Sequence, residues 1–341
     1  MKIFRRIVIW ALISLVVQFA GLFYINNYFL SSNTKLETKK VLKSEPKKSN
    51  VVIKIPQDAN NIKVSFDGKY ASYYAQNVLT VIDTETGYEK RIEFKSGVDL
   101  SFYKWLKDRN RILIAEKQSS DSDYSFNMEY YDVDKDIKEN IKKIDGFNSK
   151  TQISDIQESP LTNVIYIKMV STGKGTNIYR VNIMSEVQKV QTQSYMIGDI
   201  GILSLKDALI YEDSLYNRIY VSGQDKSLNI PGVENPTWVG VDEEDRIYLG
   251  DLKNGKITKL YYGNVDGQTN KYSVVDLREE VDKKDVYVSN NGDIYVNDNL
   301  QGIVRNVING KQYKYYGKFV QMYEGGIVSI DNEKLEKVLI Q

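Results

Sequence analysis

The chain has 341 residues, 42 % hydrophobic and 27 % charged, enough to bury a large core. It contains no cysteine and no histidine, which excludes disulfides, thiolate metal sites, lipid attachment through cysteine, serine-histidine hydrolases and imidazole switches. The net charge of +1 hides an uneven split. Residues 1–50 hold nine Lys or Arg and two Glu, whereas 51–341 holds 37 basic and 43 acidic side chains, an acidic balance that does not suit a nucleic-acid partner.

In chain order, the first element is apolar. Lys2, Arg5 and Arg6 lead into an uncharged run from Ile7 to Ile25. As a helix rising roughly 1.5 Å per residue it reaches about 28 Å, close to the thickness of a hydrocarbon core. Signal-peptide cleavage after Ala20 would leave Gln18 at the −3 position, where a small residue is wanted. The run therefore reads as an uncleaved transmembrane anchor over 7–30. The adjacent basic residues place a tail, 1–6, in the cytoplasm and the rest of this single-pass chain outside the cell membrane. Residues 31–50 are polar and lysine-rich and read as a flexible basic stalk.

From residue 51 onward the chain repeats itself. Strand cores recur as "ASYYA", "RILIAE", "VIYIKM", "ALIYED", "RIYLGD", "DIYVND" and "GIVSID". Their markers, Ser72, Ile112, Ile165, Ile210, Ile247, Ile294 and Ile327, are separated by 40, 53, 45, 37, 47 and 33 residues. A period of about 40–45 residues with several short strands per unit is the signature of propeller blades. The strands are rich in Val, Ile and Tyr, and Asp, Asn and Gly punctuate them. The expected fold is an all-β, seven-bladed β-propeller over 51–341, with six or eight blades left open because the third and fourth units are faint. The last unit lacks an outer strand. Pairing of 51–56, "VVIKIP", with that C-terminal blade is expected to supply it and so remove a free sheet edge.

The chain also has 26 tyrosines, with doublets at Tyr73-Tyr74, Tyr130-Tyr131, Tyr261-Tyr262 and Tyr315-Tyr316. Adjacent strand residues point to opposite faces, so each doublet is expected to pack against both neighbouring blades.

Two stretches carry a family resemblance. "SFDGKYASYY" (65–74) resembles the Ser-Pro-Asp-Gly-Lys opening of TolB-like propeller repeats, with Phe66 in the place of proline. "PTWVGVDEEDRIYLGD" and "DVYVSNNGDIYVND" resemble NHL-type and gluconolactonase-type repeats. The lactonase resemblance implies a divalent metal held in the channel by carboxylates and Asn. Its individual ligands do not map onto positions here, so no catalytic residue is carried over.

Candidate site residues come from the strand ends. Second strands close on Glu116, Asp213, Asp251, Asp298 and Asp331, which in a propeller would rim one face of the channel. Such a rim would bind a cation or a cationic partner; the plainer reading is that Asp ends strands by making Asx turns. Trp105 and Trp238, on or beside innermost strands, are candidates for the channel mouth. "STGKGT" lacks the first Gly of a phosphate-binding loop, and "DVDKD" and "DTETG" do not place a Gly and a later Glu where a calcium loop needs them. The missing His and Cys favour binding over catalysis. The expectation is a membrane-tethered binding or scaffolding module for a protein complex or an envelope glycan, with no cofactor. The alternatives are a metal-dependent lactonase-type hydrolase, whose channel carboxylates would take a divalent cation, and a ligand sensor.

Overall fold

The computed structural model describes residues 2–24, 51–119, 123–173, 175–266 and 269–340. Two compact units emerge, 1–49 and 50–341. In the first, Lys2–Tyr24 forms one α-helix, and its Phe4–Tyr24 stretch is long and apolar enough to cross a membrane. The basic stalk expected over 31–50 and residues 25–30 of the expected anchor lie outside the described residues.

The second unit is a seven-bladed β-propeller. Seven antiparallel sheets follow one another along the chain, over 60–93, 98–147, 151–189, 197–221, 236–282, 286–314 and 318–339. In each, strand order follows chain order from the channel outward. All seven repeat markers lie on second strands and are almost completely buried, because a second strand has blades packed against both of its faces. That double burial is why these segments read as unbroken apolar runs.

Blades four and seven show three strands each in their sheets. In blade four the third strand, Arg218–Val221, is followed by an irregular run through Pro231. Proline offers no backbone donor to a ladder, and Ile230 is buried there without strand pairing. In blade seven the amino-terminal segment lies along the third strand, Lys334–Leu339. Lys54 bridges Lys334, the Leu335 N–H donates to the Ile53 carbonyl at 2.9 Å, and the Ile55 N–H donates to the Glu333 carbonyl at 2.8 Å.

Seven apolar clusters fill the seven spaces between blades. The tyrosine doublets distribute themselves as strand alternation requires. Tyr73 enters the cluster between blades seven and one, and Tyr74 packs on that between one and two. Tyr130 and Tyr131 split between two adjacent clusters in the same way, as do Tyr261 and Tyr262. Tyr316 departs from the expectation: it follows the strand Gln312–Lys314 and stands 65 % exposed, while Tyr315 is buried. Outside a strand the alternation has no neighbouring blade to serve.

Polar staples join the inner strands as well. The Trp105 indole N–H donates to the Ser72 hydroxyl at 2.8 Å, linking blades one and two. Lys104 Nζ donates to the Ile156 carbonyl at 2.9 Å, and Gln321 Nε2 donates to the Val64 carbonyl at 3.0 Å. Such bonds satisfy inner-strand carbonyls, which would otherwise be desolvated without a partner.

Candidate functional site

Antiparallel order fixes two faces. Turns joining first to second and third to fourth strands lie on one of them, here the hairpin face. Turns joining second to third strands, and the crossings between blades, lie on the other.

The five acids expected to form a rim stand near the second face on five different blades, and each is engaged locally. Asp213 accepts from the Leu215 and Tyr216 N–H groups, and Asp298 from those of Leu300 and Gln301. These are Asx turns. Asp251 accepts from the Glu234 and Asn235 N–H groups and pairs with Lys253 at 3.2 Å. Asp331 accepts from the Asn332 amide, and Glu116 accepts from Lys138 Nζ at 2.5 Å. Among the described residues no group of three carboxylates converges as a metal site needs. Trp238 is buried in the cluster between blades four and five, with its indole ring lying over Gly201.

Trp105 is different, because it lines a cavity. This cavity, about 770 Å³, opens on the hairpin face and reaches from the channel mouth toward the gap between blades six and seven. One wall is basic, with Lys63 from blade one and Lys104 and Lys107 from blade two. The lining from blades five and six carries Glu243, Asn290, Asn291, Asp293 and Lys311, and Glu324 of blade seven lies beside blade one, its N–H donating to the Phe66 carbonyl at 2.8 Å. Phe66, Tyr287 and Tyr323 add aromatic surface between the two walls.

Local structure holds these groups in place. Lys63 lies on the innermost strand Asn60–Val64. Its ammonium donates to the Tyr103 carbonyl at 2.8 Å and stands 4.7 Å from the centre of the Phe102 ring. Lys104 sits near the end of Val98–Trp105 and also approaches Asp155 at 3.4 Å. Lys107 follows in the hairpin and makes no hydrogen bond or ion pair with a described residue. Across the cavity, the Glu243 N–H donates to the Asn290 carbonyl at 2.9 Å, which ties hairpins of blades five and six together.

The lysines share an electrostatic cost. Burial first, and then the Lys104 ammonium, lower Lys63 to about 8, while Asp155 pulls the other way. Lys107 is lowered for the same reasons. Its side chain is exposed to solvent, which screens this cost. Because folded Lys63 holds its proton less tightly than an unfolded lysine near 10.5, the unfolded state binds more protons between about pH 8 and 10.5. The penalty is full below that window and is relieved across it. The stability of the wild type relative to Lys63→Gln should therefore rise from pH 7.5 to pH 10 in urea unfolding. A flat difference would show that Lys63 is not desolvated in the folded chain.

The lysine wall was missed from the sequence because it is assembled from two blades. The available signal was weak: "NIKVSF" and "DLSFYKWLK" each carry lysine near the end of an innermost strand.

No protein-family model matches the chain, and no curated protein matches its sequence. Solved structures do. The beta-propeller domain of Cps50 (Swd1) from Myceliophteria thermophila aligns with a TM-score of 0.54 at 9 % identity, covering 85 % of this chain and 100 % of that one. A functionally unknown protein from Desulfotomaculum acetoxidans DSM 771 gives 0.47 at 14 % identity, over 76 % and 85 % of the two chains. A chain of a Mitotic Checkpoint Complex gives 0.48 at 11 % identity, over 90 % and 99 %. At 9 % identity the Cps50 likeness shows the propeller fold and nothing finer. The TolB-like and NHL-type resemblance stands as an expectation of the sequence alone.

Proposed function

We propose that this protein is a binding module held at a membrane by its apolar helix, with the propeller displayed outside the cell and its ligand seated in the cavity on the hairpin face. The observation that carries this reading is the cavity itself. Hairpins of five blades line about 770 Å³ of space, with lysines of blades one and two on one side and acids, amides and Lys311 on the other. That volume falls within the range of small-ligand sites. A rigid ring suits the task, because its walls are preorganised by interblade packing and little entropy is lost when a ligand binds. Catalysis is a weaker reading: the chain has no histidine, and the acids of the other face are each engaged locally, Asp213 and Asp298 in Asx turns and Glu116 and Asp251 with lysines.

Two measurements test this. A photo-crosslinking residue at Asn290 or Glu324 should capture the partner in cells, whereas one at Leu300 or Tyr216, exposed near the opposite face, should not. Capture from the opposite face alone would refute the placement. The chain lacks cysteine, so a Ser185→Cys variant carries a unique thiol. Labelling of intact cells with a membrane-impermeant maleimide is expected, and labelling only after lysis would place the propeller inside.

A further inference from the structure

We propose that the cavity recognises a saccharide bearing a single anionic group, a phosphate or a carboxylate, with that group against Lys63, Lys104 and Lys107 and the sugar hydroxyls against the facing wall. This rests on the reading of the cavity as the binding site and names its ligand class.

Three observations converge. The first is the unequal sharing of charge between the walls. Lys63 and Lys104 each spend part of their hydrogen-bonding capacity on a carbonyl of the next blade. An ammonium has three donors, so both retain donors, and Lys107 has all of its own. Asp155 offsets one of the three charges, leaving the wall cationic. Bringing an anion there relieves the mutual repulsion of the lysines as well as forming charge-assisted bonds.

The second is the opposing wall. Glu243 and Asp293 accept hydrogen bonds, Lys311 is a cation, and Asn290 and Asn291 both donate and accept. Hydroxyl groups satisfy such a mixed surface. A polymer with an anion on every unit or an acidic peptide fits it less well, because part of its charge would be forced toward Glu243 and Asp293. The third is aromatic surface at Phe66, Tyr287 and Tyr323 between the walls, which offers apolar area to the faces of a sugar ring. Lysines, as point charges without a planar fork, accept phosphate and carboxylate alike.

Affinity should fall as pH rises from 7 to 9. Lys63 loses its proton near 8, and the charged groups it faces are Lys104 and Asp155; Lys107 is lowered by burial and by Lys104, against the pull of Asp155.

The test uses the full chain in detergent and titration calorimetry at pH 7, with glucose 1-phosphate, glucuronate, glucose and inorganic phosphate as probes. Glucose 1-phosphate and glucuronate are expected to bind, glucose and inorganic phosphate to bind at least tenfold more weakly. Lys107→Gln should weaken the anionic sugars by about tenfold. Lys107 has no structural bond to lose, so this variant keeps the fold. Lys63→Gln should do the same and also flatten the pH profile, and Lys253→Gln, away from the cavity, should change nothing. Comparing glucuronate with a short oligosaccharide ending in glucuronate separates a free sugar from a chain end; tighter binding of either one supports the shared chemistry.

Equal binding of glucose and glucose 1-phosphate would overturn the anionic requirement, and inorganic phosphate binding as tightly as glucose 1-phosphate would overturn the saccharide. Failure of every probe would also overturn the inference. If crosslinks from Asn290 still capture a partner, the binding reading survives that failure; if they do not, both fall.

Discussion

Replacing Ile53 and Ile55 together by alanine is expected to open the ring. Both side chains are buried, at 5 % and 3 % exposure, in the cluster that joins blade seven to blade one. An Ile→Ala change at such a site costs about 2–5 kcal/mol, and a folded domain holds only about 5–15 kcal/mol in total. The double variant should therefore lower the urea midpoint steeply and leave part of the population open at room temperature. The cost exceeds lost burial alone, because the bonds between Ile53 and Leu335 and between Ile55 and Glu333 close the last sheet edge. Val52→Ala is the control, since Val52 is 56 % exposed and should shift the midpoint by less than about 0.5 kcal/mol. Equal effects of the two variants would show that the amino-terminal segment does not hold the ring.

Asp242→Ala should be nearly as damaging, for a polar reason. The carboxylate is wholly buried at the side chain and accepts four hydrogen bonds. Two come from the Glu244 and Arg246 N–H groups, one from Arg246 Nε at 2.6 Å and one from the Tyr248 hydroxyl at 2.9 Å. Burial and the neighbouring carboxylate raise the Tyr248 phenol above its usual range, so it stays a donor at all ordinary pH values. Removing Asp242 strands these donors and leaves the Arg246 guanidinium without its buried counter-ion, a loss of about 3–5 kcal/mol. Because the next residue, Glu243, belongs to the cavity wall and bonds to Asn290, ligand binding should weaken with stability. Asp242→Asn keeps the shape and one acceptor oxygen, so it should cost less. An Asp242→Ala variant as stable as wild type would mean that the hairpin is held by its apolar neighbours alone.

How much was legible in the chain differs between fold and site. Ile112, Ile165, Ile210, Ile247, Ile294 and Ile327 repeat visibly because each sits on a second strand with blades on both sides. A residue under the same packing demand in every blade leaves a periodic trace. Asp213 and Asp298 also recur visibly, but their repetition reflects turn chemistry that each blade completes by itself. Local recurrence marked the turns and drew attention to the second face. The irregular outer edge of blade four was hidden for the opposite reason, since a missing strand leaves no pattern to find.

By itself, the sequence determined the class of fold and the apolar helix and favoured seven blades, because each follows from periodic or continuous burial encoded over a few residues; the ring settled seven over six or eight. Tertiary structure alone decided which face holds the cavity. Lys63 and Lys107 belong to blades one and two, and Glu243 and Asp293 to blades five and six, across the ring. Their opposition exists only once the ring closes, since charge complementarity across a cavity is a property of distance in space and leaves no period along the chain.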